Sequence, residues 1–208
     1  VREHYQNFGT QVMSKRERIA ELVATLAFAA VANHDLAGLI MFSDRIEKYL
    51  PPRKGRNNAL TILSEVLTHN PSSPKTSLAD ALAYAHKMLN KRCVVFVISD
   101  WIDNGWEQAL KILSSKHDVV ALQVLDESEL ELPKAGILHL QDPESGEEIW
   151  INSSEAKLQR SYRDLVALRQ QQLQDFLKKC KCDYLLIRTH ESYVQALRKF
   201  FTLRKKRW

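Results

Sequence analysis

Residues 94–103 read VVFVISDWID, and the way this stretch is taken decides the fold. An apolar run rich in β-branched side chains suits a strand buried on both faces, as in parallel sheets. In open parallel sheets the carboxyl ends of the strands are where ligands sit. Ser99, Asp100 and Trp101 therefore pose a question at the rim. The acid holds a metal there, or it only caps the next helix.

Working outward, apolar runs alternate with helical periodicity. Ser14 followed by Glu17 spells a capping box. Behind it Ile19, Leu22, Val23, Leu26, Ala29 and Ala30 recur at helical spacing, which predicts a helix to about Asn33. LAGLIMFS (36–43) reads as a buried strand, and RIEKYLP (45–51) as a shorter one that Pro51-Pro52 terminates. A helix over Ala59–Leu67 follows. Thr76 and Ser77 then precede the helical LADALAYAHKML (78–89). After CVVFVISD (93–100) come a helix around Gln108–Ser115 and the strand DVVALQVLD (118–126). GILHLQ (136–141) and EEIWINS (147–153) flank DPESG, whose Asp, Pro and Gly form turns, so a β-hairpin insertion is expected at about 136–152. A long polar helix runs from Ser153 to about Lys179, DYLLIRT (183–189) is a last buried strand, and Ser192–Arg204 a last helix. The alternation predicts an α/β fold with helices on both faces of one mainly parallel sheet. LAGLIMFS, CVVFVISD, DVVALQVLD and DYLLIRT should share that sheet, with RIEKYL as an antiparallel edge.

At 208 residues the chain is expected to be a single domain, 1–208, with a sizeable core. No apolar run approaches the ~20 residues that span a bilayer. Val1 is no natural initiator, so the chain is read as a piece of a longer polypeptide. Cys93, Cys180 and Cys182 give no disulfide framework, which fits a reducing, cytoplasmic setting. The net charge of +5 is concentrated in LRKFFTLRKKRW (197–208). Such a tail can touch nucleic acid. No base-reading module accompanies it, so nucleic acid is not the expected partner.

Gly9, Gly38, Gly55, Gly105, Gly136 and Gly146 form neither a dinucleotide fingerprint nor a P-loop, and no G-x-S-x-G elbow is present. Asp44, after a predicted strand, lacks a convincingly placed partner for aspartyl phosphoryl transfer. Two strand-end positions remain, Thr76 and Asp100, a hydroxyl and a carboxylate that suit Mg²⁺ or Mn²⁺. Each has a structural reading beside the functional one. Thr76 or Ser77 can N-cap the next helix with Asp80, Asp100 can accept turn N–H groups, and Asp103 can cap the helix after it. Residue types alone favour the caps.

At this point the sequence resembles a family, the domain of unknown function 58, which in turn looks like a von Willebrand factor type A domain. The resemblance rests on QNFGT, KRERIAELVATLAF, GLIMFSDRIEKYLPPRKGR, TSLADAL, VVFVISDWID, KHDVVALQVLDESELELP, DPESGEE and YVQALRKFFTLR, together nearly the whole chain. It implies a Rossmann-like sheet and a metal-ion-dependent adhesion site, in which Thr76 and Asp100 match the distant Thr and Asp. The D-x-S-x-S motif of that site would fall at Val1, Glu3 and Tyr5, and none matches. Mg²⁺ wants near-octahedral oxygens, so it should bind this chain weakly or not at all. The fold's central first strand would precede Val1. The resemblance further implies a non-enzymatic adaptor that acts with a MoxR-type AAA+ ATPase on a client protein. Trp101 would be its aromatic anchor, unless its indole is packed under a loop. Two rival readings stand beside this one: a metal-dependent hydrolase using Asp100, Asp103 and Asp44, and nucleic-acid binding through the basic tail.

Overall fold

A computed structural model describes residues 14–141 and 148–205. In chain order its elements are α1 (Lys15–Ala32), β1 (Ala37–Phe42), β2 (Ile46–Arg53), α2 (Arg56–Thr68), α3 (Leu78–Met88), β3 (Val94–Ser99) and α4 (Glu107–Lys116), then β4 (Asp118–Leu125), α5 (Glu127–Leu130), β5 (Ile137–Gln141), β6 (Glu148–Asn152), α6 (Ala156–Lys179), β7 (Asp183–Arg188) and α7 (Tyr193–Lys205). The capping box forms as the sequence implies: Ser14 accepts from the Glu17 amide while Glu17 reaches back to the Ser14 amide.

The centre is a three-stranded parallel sheet in the order β3-β4-β7. Val119–Leu125 of the middle strand are all buried. Alternation along the strands sends neighbours to opposite faces. Val97, Val119 and Ala121 meet Leu78 and Leu82 of α3, Leu110 and Leu113 of α4, and Leu173 and Leu177 of α6. Val124 and Ile187 point the other way and meet Leu22 of α1 and Leu197 of α7. Each fully buried leucine contributes roughly 1.5–3 kcal/mol. The fold is thus α/β, with helices on both faces of a parallel core.

LAGLIMFS departs from expectation. β1 pairs antiparallel with β2 in a two-stranded sheet of its own and is not hydrogen-bonded to β3. Among the described residues, β1 and β3 each have one ladder partner, so each presents an open edge. Periodicity identifies strands but not their neighbours.

β2 also runs through Pro51-Pro52 to Arg53 instead of stopping there. Ala37 pairs with Arg53 and Leu39 with Leu50, so Gly38 alone faces both prolines. Proline lacks the N–H a ladder needs and is tolerated in such a bulge. The close approach explains the glycine. A Cβ at position 38 would lie 2.9 Å from the Leu50 carbonyl oxygen and 3.0 Å from the Pro52 nitrogen. Gly38→Ala is expected to lower stability by about 1–3 kcal/mol, the usual cost of overpacking. Urea denaturation checks it, and an unchanged midpoint would mean that the bulge yields freely.

β5 and β6 form a two-stranded antiparallel sheet of their own, distinct from the β3-β4-β7 sheet. Ile137 is 71% exposed and Trp150 67% exposed, the latter stacked on His139 at 4.3 Å. The root of the hairpin is tightly closed. Ser153, fully buried, donates its amide and its hydroxyl to the Gly136 carbonyl, at 2.7 and 2.8 Å. The DPESG turn lies outside the described residues. No helix among the described residues is long and apolar enough to cross a membrane.

Candidate functional site

The carboxyl ends of β3, β4 and β7 converge on one rim, and each ends on a polar residue: Asp100, Asp126 and Thr189. Hydrogen bonds join them. Thr189 donates its hydroxyl to Asp126 at 2.7 Å, and the Asp126 amide donates to Glu129 at 2.8 Å. Buried Arg18 of α1 donates to the Thr189 carbonyl, at 2.5 Å from one terminal nitrogen. The Lys15 ammonium lies 3.3 Å from Asp100 Oδ2 and 2.9 Å from Glu129 Oε1. Lys15 and Glu129 are partners that the sequence reading did not identify. They are 114 positions apart, and only folding brings them together.

The Asp100 backbone is fixed from below. Gln123, buried in β4, donates its amide to the Asp100 carbonyl at 2.9 Å and accepts the Tyr184 hydroxyl at 2.7 Å. A glutamine inside DVVALQVLD was the visible signal of this relay, because buried polar groups need partners. The other Asp100 side-chain oxygen accepts the Ile102 amide at 3.3 Å, a turn within the loop.

Trp101 takes a positive φ of 62°, uncommon for a bulky residue. Its indole is turned inward and is 7% exposed. It meets Trp106 edge-on at 5.0 Å, and Trp106 meets Phe176 at 5.4 Å. The anchor expected at the surface is therefore packed under its loop. The apolar area at the rim comes instead from Ile102, 55% exposed.

Thr76 is exposed just before α3, and Ser77 is the N-cap of that helix with Asp80. Asp103 caps α3 as well: its carboxylate accepts the Leu78 amide at 2.7 Å. It was expected to cap the helix that follows it, but α4 begins without a side-chain cap at Trp106. The Ser77 amide donates to the Ser43 carbonyl at 2.8 Å, so the end of β1 joins the same neighbourhood. Serine hydroxyls hold Glu47 there below the usual carboxylate range, Ser43 first and then Ser72.

These residues do not fit a Mg²⁺ centre. Both Asp100 oxygens are engaged, one by an ammonium. Among the described residues, no three His, Cys, Asp or Glu side chains gather as a metal-holding group. Asp44 is committed to Arg45 at 3.0 Å, and that hydrogen bond lowers its pKa. Val1, Glu3 and Tyr5 lie outside the described residues. At Cys180-Lys181-Cys182, burial, with Cys180 nearby, pushes the Cys182 thiol up to about 11.

Residues 2–172 match the family described as Protein of unknown function DUF58. The chain belongs to this family. The DUF58 chain is 25% identical over 203 residues to Uncharacterized protein Rv1480 of Mycobacterium tuberculosis, covering 96% of the chain and 64% of that protein. It thus spans just under two-thirds of that relative's length. It is 27% identical over 163 residues to Uncharacterized protein MAV169 of Mycobacterium avium, covering 76% of the chain and 94% of the relative. Two solved structures share the fold of the DUF58 chain. One is conserved hypothetical protein BatB from Bacteroides thetaiotaomicron, with TM-score 0.59 and 17% identity over 92% of this chain and 88% of that one. The other is an aerotolerance-related membrane protein from Bacteroides fragilis, with TM-score 0.55 and 19% identity over 83% and 80%.

Proposed function

We propose that this chain is a von Willebrand factor type A-like protein-interaction module that recognises a partner at its carboxyl rim and catalyses nothing itself. One observation carries the reading: three parallel strands end on Asp100, Asp126 and Thr189, buried Arg18 and Thr189 brace those ends from within, and part-exposed Lys15, Asp100 and Glu129 form a polar cluster at the rim. Open α/β sheets bind ligands at this place. Ile102 adds exposed apolar area beside it, and protein interfaces set apolar contacts within a polar rim.

The partner class, a MoxR-type AAA+ ATPase acting with a client protein, follows from the family resemblance. The cytoplasm suits the three free cysteines, Cys93, Cys180 and Cys182. The hydrolase reading has less support, because Asp44, Asp100 and Asp103 are each held by a different local partner.

Binding of the purified MoxR-type ATPase from the same genome, measured by biolayer interferometry, tests the rim. Ile102→Asp is expected to weaken it about tenfold or more, equivalent to ~1.4 kcal/mol. Lys199→Glu, on the exposed side of α7, should leave it unchanged. Loss of binding in Lys199→Glu with retention in Ile102→Asp would make the basic helix the interface and end the rim reading.

A further inference from the structure

The structure assigns Lys15 as the resident cation of the carboxyl rim, held by Asp100 and Glu129 where a divalent ion would otherwise have to balance their charge. Three carboxylate oxygens surround its ammonium: Asp100 Oδ2 at 3.3 Å, Glu129 Oε1 at 2.9 Å and Glu129 Oε2 at 3.2 Å. An ammonium has three N–H donors and no acceptor, so donor and acceptor numbers agree. The three contributing segments are the start of α1, the loop after β3 and the turn of α5, so the cation joins parts of the chain that share no sequence neighbourhood.

A second observation concerns the position of this lysine. Lys15 is the first residue of α1, where the helix dipole favours an acid and disfavours a positive charge. The helix does not explain a lysine there; the two carboxylates do. The receptor is also held in place independently of the lysine. Gln123 fixes the Asp100 carbonyl, the Asp126 amide holds Glu129, and the Tyr162 hydroxyl donates to the Glu129 carbonyl at 3.1 Å.

A tethered ammonium differs from Mg²⁺ in two ways. It cannot dissociate, and it needs no octahedral shell of dehydrated oxygens. The rim should therefore keep its charge pattern whatever the divalent ion concentration. Once the ammonium is removed, Asp100 and Glu129 would share one space with no cation between them, which is a weak divalent site.

Thermal melts and calorimetric titration with MgCl₂ or CaCl₂ alone test this without any protein partner, so the outcome is separate from that of the docking reading. The unaltered chain should melt alike in millimolar MgCl₂ and in NaCl of equal ionic strength, with no heat of Mg²⁺ binding. Lys15→Met should melt about 2–4 °C lower in NaCl and recover in MgCl₂ or CaCl₂. Lys15→Met combined with Asp100→Asn should lose that recovery. If Lys15→Met cannot be purified, Lys15→Gln reads the same divalent response. Asp100-dependent micromolar Mg²⁺ binding by the unaltered chain would overturn the assignment. So would a Lys15→Met or Lys15→Gln chain that shows no divalent response.

Discussion

Replacing Trp101 with alanine is expected to lower folding stability by roughly 3–5 kcal/mol, the range for deleting a buried aromatic ring. The indole is enclosed and makes the first contact in a run of three edge-on rings, Trp101, Trp106 and Phe176. Alanine empties that place without relieving the backbone, because it tolerates a positive φ no better than tryptophan does. Trp101→Phe should cost less. It keeps most of the ring contact and removes an indole N–H that is buried without a hydrogen-bond partner, a group that itself costs about 1–3 kcal/mol. Urea denaturation of the three proteins checks the order. A Trp101→Ala loss below about 1 kcal/mol would mean that the loop repacks around the gap.

The second large effect lies at the opposite end of the sheet. Arg204, near the end of α7, forms ion pairs with Asp118 and Asp183, the first residues of β4 and β7. Its side chain is 12% exposed. Arg204→Ala should cost on the order of 3 kcal/mol, since removing one member of a buried ion pair takes the countercharge from the Asp118 carboxylate. Arg204→Lys should recover part of it, because a point charge cannot reach two carboxylates as a guanidinium fork does. The midpoint of denaturation again decides, and indifference to Arg204→Ala would mean that the two aspartates are well solvated. This clamp also bears on nucleic-acid binding. Arg204 faces the strands and is not available to a phosphate backbone, while Lys206 and Arg207 lie outside the described residues.

The helices and strands were legible because their signals are local. The capping box of Ser14 and Glu17, the apolar spacing in α1 and the β-branched run of β3 each fall within a short window. What was not legible depends on distant partners. Nothing in LAGLIMFS says that its neighbour is β2 rather than β3. Pro51-Pro52 looked like a strand end, and only the residue opposite, Gly38, shows that the strand continues past a bulge. At the site, Asp100 was visible as an acid at the end of a buried strand. Lys15 was not, because a lysine at the start of an amphipathic helix looks like a solvated side chain until its partners are known. Asp103 was read as a cap from its own neighbourhood, and it caps a helix 25 residues earlier in the chain.

The closed root of the hairpin has a consequence for how this protein can vary. Ala135 and Gly136 enter the β5–β6 ribbon directly beside Ser153 and Ser154, with Ser153 bonded to both of the entering residues and the Ser154 hydroxyl accepting the Gly136 amide at 3.1 Å. The described residues between these points, 137–141 and 148–152, form a ribbon that leaves and re-enters the body at one neck. A short bridge across the neck would preserve the path from α5 to α6, and a longer ribbon or a foreign loop would fit the same doorway. The neck is a natural graft point, so relatives can diverge in what they display there while keeping one parallel core and one rim.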